Sequence, residues 1–200
     1  MDAPSILGLI GTLLDLIRAA PQLGRLIRAR KSFGVSVDTS GTSCVVSLGW
    51  TVYGVVTNQP FVTLASGVMA SFFFIITVVA LRLGRSVSEF RIAPLWLIIL
   101  LAAGLSFGTN GLGAVLSVSV LASNIPQIRV AYNEKNLSTL SLETWLLSLT
   151  GGVVWGFYGI LGIDFSIIAS AFFQVTTSIM IIILKIIKSA KGDNVEQDPA

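Results

Sequence analysis

A few polar side chains interrupt long apolar stretches of this sequence, and they are its candidates for chemistry. Asn124 and Gln174 carry amides, Ser66 and Ser170 carry hydroxyls, and Asp15 carries a carboxyl group. Amides and hydroxyls both donate and accept hydrogen bonds, and burying them among apolar groups costs free energy unless they are paired. Such groups suit the binding of a neutral polar solute, whereas a buried carboxyl group can also carry a proton.

Two tryptophans add a different kind of contact. Trp50 and Trp155 lie well inside apolar runs, where an indole ring can stack on the C–H face of a sugar in a pocket that is mostly apolar. A position in the aromatic belt at the membrane surface is the first alternative, and the central placement argues against it. Packing in the protein core is the second alternative, and it stays open.

Other classes of chemistry are excluded by residue type. The chain has no histidine and a single cysteine, which removes Ser-His-Asp and Cys-His catalysis, every histidine-ligated metal and any cysteine-rich metal site. We therefore expect no enzyme activity, no cofactor, no metal and no nucleic-acid partner.

The elements that position these residues are predicted to be membrane-spanning helices. Of 200 residues, 54% are hydrophobic and 12% are charged, against about 25% charged in a soluble domain, and the mean hydropathy is +0.86. The fold class is therefore an all-α membrane protein with seven transmembrane helices. The predicted spans are 4–23, 41–57, 61–82, 92–108, 112–131, 144–162 and 165–187.

The distribution of positive charge predicts the orientation. With the N-terminus outside, all 13 Lys and Arg residues fall in cytoplasmic loops or at cytoplasmic helix ends, in agreement with the bias of positive charge towards the cytoplasm. The C-terminus is then cytoplasmic, in a plasma membrane or a bacterial inner membrane. A cleaved signal peptide is the alternative for residues 6–17, but no Lys or Arg precedes them.

An internal repeat appears when the sequence is shifted by 105 positions. Pro21 and Gln22 then coincide with Pro126 and Gln127, and "WTVYG" coincides with "WGFYG". Each copy contains three spans, so the span at 92–108 is needed to give both copies the same orientation. The predicted divisions are a first repeat at 1–85, a linker helix at 86–110, a second repeat at 111–188 and a cytoplasmic tail at 189–200.

The paired Pro-Gln motifs, the three-span repeats and the "W..YG" signatures resemble the PQ-loop superfamily, and most closely its sugar-transporting SWEET branch. The resemblance implies a carrier that moves a small neutral solute, a mono- or disaccharide, passively and in both directions by alternating access. It also implies that Trp50 and Trp155 lie near the solute. The two prolines bend their helices, either as hinges or as static kinks that aid packing. The glutamines beside them, Gln22 and Gln127, either line a gate or cap a helix end.

One part of the family pattern is missing. The asparagines that SWEET proteins usually carry in their third and seventh spans correspond to Ser66 and Ala171 here. Polar residues nearby can replace them, and Asn124 and Gln174 are the costliest of these to bury. The others are Ser71, Ser123 and Ser170. The gap leaves the identity of the solute open.

Asp15 leaves two functions open. It can bind a proton and couple it to the transport of an amino acid or another small metabolite, or it can form a structural salt bridge with Arg18. A seven-span receptor of the same fold is a third candidate function. The expected partners are the small solute and the lipid bilayer, and Gly/Ser-rich helix faces permit homo-oligomers.

Overall fold

The computed structural model describes residues 2–29, 36–133 and 141–196, and all regular structure in these ranges is helical. The prediction of an all-α protein is thereby confirmed. The helices are α1 (Ala3–Ala29), α2 (Val37–Val56), α3 (Pro60–Arg82), α4 (Ile92–Asn133), α5 (Leu142–Leu161) and α6 (Phe165–Glu196), with a short 3₁₀ helix at Val87–Glu89.

The described residues form six α-helices where the sequence predicts seven, and the difference lies in α4. This helix contains both the fourth and the fifth predicted span, but its backbone leaves the helical conformation at Gly108, where φ is 61° and ψ is −148°. Only glycine adopts this conformation readily. A Cβ atom on Gly111 would lie 2.6 Å from the carbonyl oxygen of Ala103, eight residues earlier. In a straight helix, residues eight positions apart are separated by about 12 Å along the axis, so the backbone of α4 reverses direction at Gly108 and divides the helix into two segments.

The chain divides into two compact units, Met1–Leu116 and Ser117–Ala200. In the first unit, α3 packs against both α1 and α2. The ring of Phe61 lies directly on Gly8 of α1, in space that a side chain at that position would occupy. On the other side, the Thr77 hydroxyl of α3 donates a hydrogen bond of 2.9 Å to Ser40 of α2. The first three helices therefore form one bundle with α3 at its centre.

The second unit repeats this arrangement. Its third helix, α6, packs against α5 and also contacts the second segment of α4, where the Ser117 hydroxyl donates to the carbonyl of Ser166 at 2.7 Å. Towards the end of the same segment, Ala131 and Ile181 are fully buried against each other. Within this unit α6 therefore has the central position that α3 has in the first.

The turns between the second and third helix of each unit match at the 105-residue spacing. Asn58 and Ile163, 105 positions apart, both have positive φ angles, of 55° and 53°. The residue after each of them donates a backbone hydrogen bond to the glycine of "W..YG", from Gln59 to Gly54 at 2.7 Å and from Asp164 to Gly159 at 2.9 Å. The repeat seen in the sequence therefore extends to the backbone conformation of these turns.

The helix starts match as well. Ser36 precedes α2 and accepts a hydrogen bond from the backbone N–H of Thr39, and Ser141 precedes α5 and accepts one from Thr144. A serine at this position satisfies an N–H group that has no partner within the helix. The repeated serine and threonine residues thus mark the same helix start in both units.

A contact that has no counterpart among the described residues of the second unit holds the start of α4. The Asp38 carboxylate, in the first turn of α2, accepts hydrogen bonds of 2.8 to 3.0 Å from three successive backbone N–H groups. Beside it, the ring of Phe90 lies on Gly41. The donors are Arg91, Ile92 and Ala93.

This geometry sets the protonation behaviour of Asp38, which precedes the predicted span at 41–57. Burial alone would raise the pKa of the Asp38 carboxyl group. The three backbone hydrogen bonds outweigh burial and hold this pKa below its ordinary value. Asp38 therefore stays ionised and joins α2 to the helix that follows the first repeat.

Four of the described helices are long and apolar enough to cross a membrane: α3, α4, α5 and the Phe165–Lys188 part of α6. The helices that hold the first two predicted spans, α1 and α2, are not among them, and α2 is rich in Ser, Thr and Gly. Large apolar side chains are nevertheless exposed along the helices, including Leu105, Phe107 and Phe165 at 75 to 86%. A surface of this kind is suited to lipid rather than water.

Some predicted features lie outside the described residues. They include parts of two predicted cytoplasmic loops, at 30–35 and 134–140, and the last four residues of the predicted tail. The first part of that tail is helical, because α6 continues to Glu196.

Candidate functional site

Each unit holds a tryptophan and a tyrosine in edge-on contact. The ring centroids of Trp50 and Tyr53 are 5.5 Å apart with an angle of 82° between the rings, and those of Trp155 and Tyr158 are 5.3 Å apart at 81°. Both tyrosines are buried, whereas both tryptophans are half-buried. Because an edge-on aromatic contact fixes ring orientation, each indole is held in a defined position and keeps part of its surface accessible.

The glycine of each "W..YG" signature brings the next helix close to this aromatic pair. A Cβ atom on Gly54 would lie 2.8 Å from the backbone nitrogen of Thr63, and one on Gly159 would lie 3.1 Å from the backbone nitrogen of Ile168. Thr63 and Ile168 are again 105 positions apart. The glycine of the signature therefore allows α3 and α6 to pack closely against the helix that carries the tryptophan.

A cluster of uncharged polar side chains lies in the second unit. The Asn124 amide nitrogen, on α4, donates to the Thr177 hydroxyl at 2.7 Å and to the Gln174 side-chain oxygen at 3.3 Å. The Gln174 amide nitrogen in turn donates to the Ser178 hydroxyl at 3.0 Å. The structure thus brings together two of the predicted site residues, Asn124 and Gln174, from two different helices.

Thr177 and Ser178 are members of this cluster that the sequence interpretation missed. Both are almost completely buried, at 3% and 0% exposure. They follow Gln174 by three and four positions, so all three lie on one face of α6. That spacing was the available signal, but a serine or threonine in a membrane helix commonly bonds only to its own backbone.

The tryptophan of the second unit lies on α5, the helix that packs against the α6 residues of this cluster. Trp155 is flanked in α5 by two glycines that contact α6. A Cβ atom on Gly152 would lie 3.2 Å from the Gln174 side chain, and one on Gly156 would lie 3.4 Å from Ala171. The tryptophan and the amide cluster therefore occupy neighbouring turns of one helix pair.

Ser66 and Ala171, which replace the family's asparagine pair, differ from each other in burial. Ala171 is 5% exposed and packs against Gly156, so its small side chain serves the close approach of α6 to α5. Ser66 and Ser170 are half-buried. The roles of these three residues in solute binding remain predictions.

The predicted hinge and gate residues lie within continuous helix. Pro21 and Gln22 are part of α1, and Pro126 and Gln127 are part of α4. The Gln127 side chain is exposed, and the side chains of the other three lie outside the described part of the structure. Their function as hinge or gate remains a prediction.

Asp15 forms the ion pair that the sequence allows. Its carboxylate lies 3.1 Å from the Arg18 guanidinium group, and the two side chains are 19% and 35% exposed. This is the arrangement expected for the structural alternative, in which the carboxylate has a charged partner three residues along the helix.

Comparison with known proteins identifies the relatives of this chain. Residues 108–191 match the model of a family described as "Sugar efflux transporter for intercellular exchange". The structure matches that of a eukaryotic SWEET transporter with a TM-score of 0.74 and 17% sequence identity, over 94% of this chain and 97% of the other. No curated protein matches the chain.

At that identity the structural match establishes the fold, and the sequence match to the family covers the second repeat. The apolar helices and these matches together indicate an integral membrane protein. The resemblance predicted from the sequence is thereby confirmed: residues 108–191 carry the pattern of the SWEET family of sugar transporters, and the chain has the fold of a SWEET transporter.

Proposed function

We propose that this protein is a membrane carrier for a neutral polyhydroxylated solute, a mono- or disaccharide, which it moves passively in both directions by alternating access across seven spans. The observation that carries the proposal is the amide and hydroxyl cluster of Asn124, Gln174, Thr177 and Ser178. Its members are uncharged, so they can hydrogen-bond a sugar without attracting an ion.

The aromatic residues support the same class of solute. Trp155 contacts Tyr158 edge-on and remains half-buried. It lies on α5, the helix that packs against the α6 part of the amide cluster. A sugar presents apolar C–H faces and polar edges, so an indole ring and a pair of amides together match its two kinds of surface. The family model and the fold favour sugar over other neutral solutes.

The ion pair of Asp15 favours passive transport. The Asp15 carboxylate lies 3.1 Å from the guanidinium group of Arg18, three residues along the helix, which is the geometry of a structural salt bridge. This contact supports a structural role for Asp15 over a role in proton-coupled carriage of an amino acid.

Uptake by proteoliposomes tests the proposal. Purified protein is reconstituted, and the uptake of labelled monosaccharides, disaccharides and neutral amino acids is measured with and without a proton gradient. We expect sugar uptake that does not require the gradient. Trp155→Ala should lower kcat/KM for the sugar roughly three- to tenfold, because an aromatic contact of about 1 kcal/mol is lost.

Two further variants control for general damage. Trp155→Phe keeps an aromatic face and should retain most of the uptake. Phe157→Ala, on the same helix, truncates a ring that is 57% exposed and should leave transport unchanged. Amino-acid uptake that depends on the proton gradient, or the absence of any sugar uptake, would overturn the proposed function.

A further inference from the structure

We propose that Thr177 is a positioning residue that fixes the orientation of the Asn124 amide and leaves its oxygen as the acceptor for a hydroxyl group of the solute. The inference rests on the proposed function and deepens it. It assigns a role to a side chain on α6 that is buried in the second unit, and it specifies the kind of atom that the solute must present.

The orientation follows from counting protons on Thr177. A threonine hydroxyl has one proton to donate. In Thr177 this proton is directed to the backbone carbonyls of its own helix, at 2.8 Å from that of Phe173 and 3.2 Å from that of Gln174. Towards Asn124, at 2.7 Å, the hydroxyl oxygen can therefore only accept. The Asn124 side chain must present its NH₂ group to Thr177, and the reverse orientation would set two acceptors against each other.

Gln174, which lies on α6 with Thr177, is the second acceptor for the Asn124 amide. The Gln174 amide nitrogen donates to Ser178 at 3.0 Å, which leaves its oxygen to accept from Asn124 at 3.3 Å. Both N–H groups of Asn124 are then used within the protein. Ser178 is completely buried, so its position is set by packing.

One strong acceptor remains open in this network. No described residue donates a hydrogen bond to the Asn124 side-chain oxygen. Among the described residues, no side-chain nitrogen or oxygen is both buried and without a hydrogen-bond partner. Because the Asn124 oxygen has no donor among these residues, it must retain accessible surface. An open amide oxygen attracts a hydroxyl donor and disfavours a carboxylate, which can only accept.

The first repeat has no equivalent of this network. The positions that correspond to the four cluster residues at the 105-residue spacing hold one alanine, one methionine and two phenylalanines, none of which has a side-chain hydrogen-bonding group comparable to an amide or a hydroxyl. They are Ala19, Met69, Phe72 and Phe73. Amide-based discrimination between solutes therefore belongs to the second repeat.

Isosteric substitution of Thr177 tests the inference in the full-length reconstituted protein. Thr177→Val keeps the shape but removes the acceptor, so Asn124 can rotate. We expect KM for the best transported monosaccharide to rise roughly two- to tenfold with little change in kcat. Discrimination against the monodeoxy analogue that lacks the recognised hydroxyl should fall by the same factor, and Thr177→Ser should restore both.

Several results would overturn the inference. One is an unchanged KM and an unchanged preference over deoxy sugars in Thr177→Val. Another is an equal loss of kcat for all solutes in the Val and Ser variants, which would indicate a purely structural role. If Thr177→Val does not fold, Ser178→Ala releases Gln174 in the same way and is subject to the same criteria. A wild-type protein that transports no sugar would instead overturn the proposed function, and with it the inference.

Discussion

At the scale of single residues, the two copies of the repeat have different side chains at the same positive-φ position of a turn. The turn before the third helix of each unit requires a positive φ, and the first copy has Asn58 there while the second has Ile163. Asparagine tolerates this conformation, whereas a β-branched residue is strained in it. Asn58 in the first copy therefore serves as an internal reference for the conformational strain of Ile163 in the second.

Replacing the strained residue by its counterpart should stabilise the protein. We expect Ile163→Asn to raise the free energy of unfolding by about 1 kcal/mol and the melting temperature by roughly 2–4 °C, as followed by tryptophan fluorescence in detergent. Ile163→Val keeps the branched side chain and should give no gain. A lower melting temperature in Ile163→Asn would show that the contacts of the exposed isoleucine outweigh the strain.

The residue types reveal some functions and hide others. Asn124 and Gln174 stand out in the sequence because amides are costly to bury, and the structure brings them together. Thr177 does not stand out, because its hydroxyl can be satisfied within its own helix. Its contact with Asn124 joins residues 53 positions apart, and such a contact cannot be predicted from local sequence.

At the scale of elements, the helices could be predicted well and their joins less well. The apolar runs predict spans at 41–57 and 144–162, and the corresponding helices begin after Ser36 and Ser141 in the structure. The fold-back inside α4 depends on the backbone angles of one glycine among the 19 in the chain. The predicted fourth and fifth spans, 92–108 and 112–131, are separated at this same place, and the structure describes them as two segments of α4.

The cap on α4 leads to a prediction about pH. The pKa of Asp38 is lowered in the folded protein by its hydrogen bonds to backbone N–H groups, so its contribution to stability is fully present above its ordinary pKa of about 4. It is lost as the pH falls through the lower, folded-state value. We expect the melting temperature of the wild type to decrease in this acid range more than that of Asp38→Asn.

The matched control is in the second repeat. Glu143 occupies the position that corresponds to Asp38, and it is exposed. At neutral pH, Asp38→Asn should lower the free energy of unfolding by about 1 kcal/mol, as for the loss of a helix cap, while Glu143→Gln should have little effect. Identical acid profiles for the wild type and Asp38→Asn would contradict this role of Asp38.

At the scale of the whole molecule, the fold could be predicted because several weak signals agree. Span lengths, the one-sided distribution of positive charge and the 105-residue repeat led to the SWEET resemblance that the structural match supports. The solute could not be predicted in the same way, because the residues expected to recognise it are replaced at Ser66 and Ala171. Because the family pattern is broken at these two positions, the residues that recognise the solute have to be inferred from the contacts in this chain.

Transport by the whole protein should be independent of a proton gradient. The Asp15 carboxylate is paired with Arg18, and an ion pair with partly exposed side chains contributes about 0–1 kcal/mol to stability. Asp15→Asn should therefore still fold, and sugar uptake should have the same pH response as in the wild type. Arg18→Gln, which removes the other partner, should behave alike. Acceleration of wild-type uptake by an inward proton gradient, lost in Asp15→Asn, would instead establish coupling.

The shared turns and the unshared amide cluster have a practical consequence for protein engineering. The glycines, serine caps and positive φ angles that build each bundle recur in both copies, while the cluster around Asn124 occurs in one. Under the proposed function, the residues that build the helix bundles and the residues that select the solute occupy different positions in the sequence. A library of variants confined to one face of α6 should therefore change solute selection while both bundles still fold.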